Sequence, residues 1–348
     1  MLNTDATSAT PEATAHKRKR VRIALIVAAS VLAVLLAAGG AAYAMVQSWF
    51  NEIETVSIKA DPALKRPEKP EVPAEVPVPV NVLLLGSDNR NVTTTSTGFR
   101  SDAIMVAQIS ADRKHVTIMS IMRDNWVGIE GVGEAKINAA FSYGGVPLAV
   151  NTVENFIGVQ IDHVMIVDFQ SFKGLTHAVG GVTVYNAKPF TSSHSGKAFA
   201  EGEIRLETGD DALDFVRERY EFVDGDYQRV RNQQAYMKGL VQAILSRDTL
   251  SSPQRVTATI NSIKPYLIVD DGFTLPIAVD LGLSLKDLRG EDIAYFTSPT
   301  LGTGASADGQ SIVIPNQDEM NNVRAAFQAG TLHEYAAAHP PGSEVPQQ

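Results

Sequence analysis

Acidic residues set beside arginines carry most of the chemistry this chain could do. Asp88-Asn89-Arg90 closes a short apolar run, and Arg100-Ser101-Asp102 leads into the next one. Asp88 and Asp102 therefore fall where loops meet strand ends, the part of an α/β sheet at which ligands bind. Two carboxylates brought together by neighbouring loops suit a hard cation. Mg²⁺ takes one or two protein carboxylates and completes its shell with water and phosphate oxygens; Mn²⁺ accepts the same oxygen set. Arg123-Asp124 follows a third apolar run. The fourth group is the densest: Arg217-Glu218-Arg219-Tyr220, then Gly225-Asp226, then Arg229, Arg231, Asn232, Gln233 and Gln234. The planar guanidinium fork matches phosphate oxygens, and several forks together neutralise a pyrophosphate. On a helix Arg229 and Gln233 are i, i+4 and share a face. Val230, Met237, Leu240, Val241 and Ile244 read as the core face, so the two polar side chains are expected to point away from it. Taken singly, each acid–arginine pair is also what a surface turn with a salt bridge looks like. The stretch 217–231 balances four arginines with four acids, as a helix laced with ion pairs would.

Much else is excluded. The 348 residues include no cysteine, which removes disulfides, thiol nucleophiles and Cys-ligated metals. There is no P-loop and no G-x-S-x-G elbow, and Gly131-Val132-Gly133 stops short of a dinucleotide fingerprint. His333-Glu334 suggests a zincin, but the next histidine is His339, not i+4 from the first. The seven histidines show no metal spacing and read as ordinary surface or core residues. A formal charge of −9 rules out a global basic field for nucleic acid.

The elements that must hold the acids and arginines begin at residue 81. Apolar, β-branched-leaning runs at 81–86, 103–110, 116–121, 163–169 and 182–185 read as strands. Helical patterns cover 137–143, 147–157, 169–179, 210–220 and 226–246, and further helix and strand signals run from 256 to 328. The expectation is an α/β fold: a single α/β/α layered domain with a central mixed sheet over 81–330. Residues 331–348 are expected to be a flexible tail.

Ahead of the domain, residues 1–22 end in His16-Lys17-Arg18-Lys19-Arg20-Val21-Arg22 and read as a cytoplasmic basic tail. Residues 23–46 form 24 positions without a charge. At 1.5 Å per residue that helix would be about 36 Å long, enough to cross a hydrocarbon core of about 30 Å. The basic side places the N-terminus in the cytoplasm and the remainder outside, with Trp49 and Phe50 at the interface. A cleaved signal peptide ending at Ala42-Tyr43-Ala44 is the competing reading, although the apolar stretch is long for one. Residues 1–22 carry a net +3 from Lys17, Arg18, Lys19, Arg20 and Arg22 against Asp5 and Glu12, leaving −12 for the rest. Six prolines between Asp61 and Val80 make 47–80 an expected extended stalk.

In order and spacing, NVLLLGSDNR (81–90), RSDAIMVAQI (100–109), SIMRD (120–124), KINAAFSYGG (136–145), HVMIVDFQSF (163–172), GGV (180–182) and ALDFVRERY…GDYQRVRNQQ (212–234) resemble the LytR-CpsA-Psr family of bacterial cell-wall enzymes. The resemblance implies a membrane-anchored extracytoplasmic phosphotransferase. Its donor would be a glycopolymer of teichoic acid, arabinogalactan or capsule type on a polyprenyl-pyrophosphate carrier, and its acceptor peptidoglycan. Carried over by position, Asp88 and Asp102 would hold Mg²⁺ or Mn²⁺. Arg100, Arg123, Arg217, Arg219 and Arg229 would surround the pyrophosphate, with Gln233 assisting and Asp226 orienting the arginines. Asp88 would be the preferred proton acceptor, and the apolar interior would contain the prenyl chain. Met122 stands where the family often has proline, and Asn232 where many members have arginine. The same residues would serve a polyprenyl-pyrophosphate hydrolase, and an apolar pocket alone would serve a non-catalytic lipid- or wall-binding envelope regulator.

Overall fold

The computed structural model describes residues 47–48, 50, 52–58, 64–69, 76–87, 97–98, 101–246 and 253–341. The expected tail 1–22, the expected anchor 23–46, Asp88 and Arg100 lie outside the described residues. Among those described, no helix is long and apolar enough to cross a membrane. The chain divides into two units at Glu52/Ile53, and every described strand belongs to the second, Ile53–Gln348.

Four strands open this unit: β1 (Glu54–Val56), β2 (Val80–Ser87), β3 (Ser101–Ile109) and β4 (Val116–Ile121). A hairpin of β5 (Trp126–Ile129) and β6 (Gly133–Lys136) leads into α1 (Ala139–Ile157) and β7 (His163–Asp168). Next come α2 (Phe169–Ala178), β8 (Val182–Asn186), β9 (Phe190–Thr191), β10 (Ala198–Phe199), β11 (Gly202–Leu206), α3 (Gly209–Arg217) and α4 (Asp226–Ile244). The chain continues through α5 (Pro253–Ile263), β12 (Ile268–Asp270), α6 (Leu275–Ser284) and β13 (Ile293–Thr297). It closes with the ribbon β14 (Thr300–Ala305) and β15 (Ser311–Pro315), then α7 (Gln317–Ala329) and α8 (Leu332–Ala338).

Seven strands form the central sheet in the order β1-β12-β7-β2-β3-β4-β13. The sheet is mixed: β2 is antiparallel to β3 and parallel to β7, and β4 is antiparallel to β3 and parallel to β13. Strand alternation divides the side chains between two layers. Leu83 and Leu85 of β2 pack with Phe141, Val150, Phe156 and Phe327 from α1 and α7. Val82 and Leu84 face the other layer, with Met237 and Val241 of α4 and Ile277 and Leu281 of α6. A third cluster, centred on Phe190, Phe199 and Phe215, joins the ribbon β8/β11 to α3 and α4. The expected helices 137–143 and 147–157 are the two halves of α1, which breaks at Gly144 and Gly145; Gly145 has φ 63°.

Two expected boundaries need correction. Within the expected stalk 47–80, the described residues 54–56 and 64–69 are attached to the domain rather than free. Val56 is buried in the main core, and β1 is an edge strand parallel to β12. Further on, Arg66 Nε donates to both oxygens of Glu154 at 3.0 and 2.9 Å, and Glu154 is fully buried. Arg66 Nη2 also reaches Ile161 O at 2.8 Å. Lys65 O and Pro67 O accept from Asn151 Nδ2 and Gln160 Nε2, both at 2.7 Å. Prolines deprive this segment of donors, yet its carbonyls and cationic side chains bind it to α1. Arg66→Ala is expected to lower the unfolding free energy by about 2–3 kcal/mol, because a charged hydrogen bond to a buried acceptor is lost. Urea unfolding of the variant checks this, and a loss under about 0.5 kcal/mol, the scatter of surface changes, would refute the clasp. The second correction is at the C-terminus. Instead of a flexible tail from 331, α8 buries Leu332 and Ala336 in the core, and only 342–348 lie outside the described residues.

Candidate active site

One end of the sheet gathers the acids and arginines. β2, β4 and β7 finish there and β3 begins there. Gly86 lets β2 approach β3 at this end, since a Cβ on it would sit 2.9 Å from Ala103 Cβ. A bulge between Gly86 and Ser87 then pairs Ser87 with Ser101, the residues just before Asp88 and Asp102. Arg123 follows β4 in a turn closed by Asn125 N donating to Met122 O at 3.0 Å. Met122 itself is fully buried beside Tyr227, Val230 and Val313, so it anchors that turn by packing.

A cavity of about 480 Å³ opens at this end and runs back between the sheet and α2–α5. Asp102, Arg123, Arg217, Arg219, Arg229 and Gln233 all line it. Its walls further in are Leu84, Met105 and Met165 from the sheet, Phe172 and Leu175 from α2, Leu213 and Val216 from α3, and Ile263 and Leu267. The α4 wall corrects the sequence expectation. Arg229, Gln233, Met237, Leu240 and Ile244 all line the cavity, and their spacing of i, i+4, i+8, i+11, i+15 is a single helical stripe. The polar pair does not point away from the apolar residues. It is the first turn of the same face, and that face lines a space rather than a packed core.

The electrostatics of the mouth are built from shared carboxylates. Arg123 Nη1 contacts Asp102 Oδ1 at 2.5 Å, and Arg123 Nε lies 3.9 Å from both Asp226 Oδ1 and Asp124 Oδ2. Lys136 Nζ holds Asp124 Oδ1 at 3.3 Å. Arg229 Nη2 sits 2.8 Å from Asp226 Oδ1 and donates to Asp226 Oδ2 at 2.9 Å. Burial pushes the Asp226 carboxyl up, against the pull of Arg229 and Arg123. Burial pushes the Arg229 guanidinium down, against Asp226. Burial also works against Arg123, but Asp102 and Asp226 outweigh it and its guanidinium is held above the ordinary value.

Arg217 and Arg219 make no ion pair among the described residues. Arg217 lies over the Phe169 ring at 4.7 Å, and Arg219 Nη2 donates to Tyr220 OH at 2.7 Å. Four arginines against Asp102 and Asp226 leave two cationic forks in excess at the mouth, which suits an anion carrying more than one charge.

Arg217 and Arg219 are placed by a residue whose role the sequence does not reveal. Glu218 is fully buried between them. Its carboxylate accepts from Arg219 N and Tyr220 N, both at 2.9 Å, from Ser193 N at 2.6 Å and from Ser193 Oγ at 3.1 Å. This ties the arginine loop to the β9–β10 hairpin. His194, at that hairpin's tip, also lines the cavity, although the lack of metal spacing makes every histidine read as ordinary in the sequence. Asn232 is structural: it is buried, accepts from Gln228 Nε2 at 2.9 Å and donates to Phe215 O at 3.1 Å. Arg231 pairs with Asp224 and Gln228 rather than lining the cavity.

For a metal, the donor set is carboxylate oxygen. Asp102 Oδ1 faces Arg123, and its side chain is 30% exposed at the mouth. No group of three His, Asp or Glu poised to hold an ion occurs among the described residues. A site here would therefore share its cation with a ligand, as Mg²⁺ bound through one or two carboxylates and phosphate oxygens does.

Comparison with known proteins gives the family and the likeness of fold. The profile of the LytR_cpsA_psr family matches residues 47–329. A polyisoprenyl-teichoic acid–peptidoglycan teichoic acid transferase, TagU of Enterococcus faecalis (strain ATCC 700802 / V583), is 34% identical over 263 residues, 75% of this chain and 82% of that protein. Among solved structures, B. subtilis TagV superposes with a TM-score of 0.63 at 24% identity, covering 73% of this chain and 98% of that one. A structure of TagT bound to LIIa-WTA gives 0.59 at 23% identity, covering 78% and 98%. These two establish likeness of fold.

Proposed function

The chain belongs to the LytR_cpsA_psr family, and we propose that it transfers a glycopolymer from a polyprenyl-pyrophosphate carrier to peptidoglycan. The observation that carries this reading is the amphiphilic cavity: excess arginine forks at the mouth, continuous along one face of α4 with an apolar interior. A prenyl pyrophosphate has that same division into charged head and greasy tail. The name of the E. faecalis relative states such a transfer of teichoic acid.

In the proposed reaction Arg123, Arg217, Arg219 and Arg229 bind the pyrophosphate oxygens and stabilise charge that grows on them in the transition state. Asp226 holds Arg229 in place, and Gln233 adds a neutral donor one turn further in. Phosphoryl transfer needs little beyond such positioning and charge stabilisation. Asp102 and Asp88 would hold Mg²⁺ or Mn²⁺, which supplies further neutralisation of phosphate charge. In this reading residues 23–46 cross the membrane once, with the N-terminus cytoplasmic and the family domain outside, within reach of both lipid donor and wall acceptor.

The test uses the full-length chain in detergent, with a polyprenyl-pyrophosphate-linked teichoic-type glycan, peptidoglycan fragments and Mg²⁺. Mass spectrometry should find glycan joined to peptidoglycan through a phosphodiester, together with prenyl phosphate. EDTA should abolish both products, and added Mg²⁺ or Mn²⁺ should restore them. Full activity in EDTA would remove the metal from the reading. Prenyl phosphate without joined glycan would make the protein a hydrolase, and donor binding with no turnover would leave a lipid-binding envelope regulator.

A further inference from the structure

The acceptor's proton must go somewhere; Asp88 and Asp102 are committed to the cation in the reading above, where a carboxylate is a weak base, and the described residues lining the cavity narrow the choice. Asp102 is held by Arg123 at 2.5 Å. Asp168 caps α2, accepting from Gln170 N at 2.7 Å, Ser171 N at 2.9 Å and Ser171 Oγ at 3.0 Å. Tyr236 is tied to Thr176 at 2.8 Å, and burial pushes its hydroxyl up to about 12. Tyr220 OH already accepts from Arg219. Among the described residues, the other titratable groups of the lining are arginines, with one exception. His194 has a ring that makes no hydrogen bond among the described residues.

The hairpin that carries His194 is held firmly. Ser192 Oγ accepts from His194 N at 3.2 Å and from Ser195 N at 3.4 Å, and Ser192 O accepts from Gly196 N at 2.8 Å. Ser193 is fastened to buried Glu218, which also fixes the backbone of Arg219 and Tyr220. Hairpin and arginine loop are therefore tied together, and His194 lines the same cavity as the anion-binding forks. The charged and titratable groups that line the cavity with it include Arg217, Arg219 and Tyr220 on the loop and Asp102, Arg123 and Arg229 from other elements, while Lys197 on the same hairpin is paired with Asp211 at 2.5 Å.

Geometry also decides the side from which the nucleophile comes. Attacking and leaving oxygens lie roughly in line in phosphoryl transfer. The leaving prenyl phosphate has its chain in the apolar interior, so the acceptor hydroxyl approaches from solvent. His194 is exposed to solvent and also lines the cavity. Resting on the transfer reading above, we infer that His194 is the general base that takes the proton of the acceptor hydroxyl. The hydroxyl oxygen bonds to the glycan-bearing phosphorus, and the bond from that phosphorus to the bridging oxygen breaks. Prenyl phosphate leaves with the electron pair, and the proton rests on the imidazole until solvent removes it. An imidazole is suited to this because a neutral ring nitrogen can both take up and return a proton.

The test compares the wild-type full chain with His194→Asn in the same transfer assay across pH, alongside prenyl-pyrophosphate binding and thermal unfolding. General-base removal typically costs about 10²-fold or more. The expected result is a fall in kcat of that size, loss of the limb in which rate rises with pH, unchanged donor affinity and unfolding temperature, and partial rescue by added imidazole. An active wild type whose His194→Asn variant keeps rate and limb overturns the assignment alone. A fall in rate with the limb retained and no imidazole rescue does so too, since that is what a positioning role would give. A wild type that joins no glycan at any pH overturns the transfer reading and this assignment with it.

Discussion

Arg229→Ala should lower kcat/KM for glycan transfer by about 10³, the upper range for removing one preorganised charge donor. Arg229 stands where α4's apolar stripe becomes polar, and its side chain is only 6% exposed. A cation there is already desolvated, so its field on a bound phosphate is little screened. Arg229→Lys should recover little activity, because an ammonium cannot span Asp226 and a phosphate oxygen as a planar fork does. The same substitution has a stability signature. Asp226 is pushed up by burial, and Arg229 is the strongest influence opposing this. The folded protein already holds the Asp226 proton more tightly than the unfolded chain does, and without Arg229 it holds it more tightly still. Stability of Arg229→Ala should therefore fall, relative to wild type, as pH rises through the raised wild-type value of Asp226 toward the still higher value of the variant. At neutral pH the deficit should reach about 3 kcal/mol, as for one partner removed from a buried pair. Adding Asp226→Ala should return part of that stability but none of the activity. Urea unfolding at pH 4 and pH 7, beside the transfer assay, reads both effects. A deficit that does not change with pH would show that Asp226 and Arg229 are not coupled.

How far the sequence reaches depends on which physical signal each element carries. Val116–Ile121 is legible to the residue because six buried apolar or small positions lie between a charged turn and Arg123-Asp124. The break in α1 is legible because Gly144-Gly145 interrupts its helical pattern. The 64–69 clasp is not, because its prolines say only that the chain is extended. Its attachment depends on Glu154, some ninety residues away, and a buried acid on an apolar helix does not name its partner. α8 escapes because seven residues rich in alanine and near the terminus show little periodicity. The α4 error is more instructive. Residues 229, 233, 237, 240 and 244 share a face by plain helical geometry, but treating polar and apolar residues as opposite faces assumes that apolar means core. A ligand channel needs both on one stripe. Glu218 and His194 lie beyond reach for another reason. One acts through backbone donors, which leave no trace in sequence, and the other depends on a hairpin contact that only the fold creates.

Glu218→Gln tests that hidden scaffold. Burial alone would raise the Glu218 carboxyl, but donors from Ser193, Tyr220 and Arg219 outweigh it and hold it below the ordinary 4.5. A group with a depressed folded value binds its proton more weakly in the native state than in the unfolded one. Its contribution to stability is thus complete above the ordinary, unfolded value of 4.5 and is lost as pH falls through the lower folded value. Glutamine keeps the shape but turns an NH₂ toward one or more N–H donors. Replacing an acceptor by a donor leaves buried groups unpaired, at about 1–3 kcal/mol each, so a total loss of about 2–4 kcal/mol is expected at neutral pH. The difference between wild type and variant should shrink on acidification, because protonating wild-type Glu218 weakens the same contacts. The activity loss follows from position rather than charge. Arg217, Arg219 and Tyr220 hang from the backbone that Glu218 fixes, and a shift of about 1 Å in such groups costs about 10²-fold. Donor affinity should weaken along with turnover, because the loosened arginines also bind the ground-state pyrophosphate. Unfolding curves at several pH values and a donor titration decide it. If the stability difference stayed constant down to acid pH and pyrophosphate binding were intact, Glu218 would be only a buried filler, and the two free arginines would owe their placement to the packing of α3.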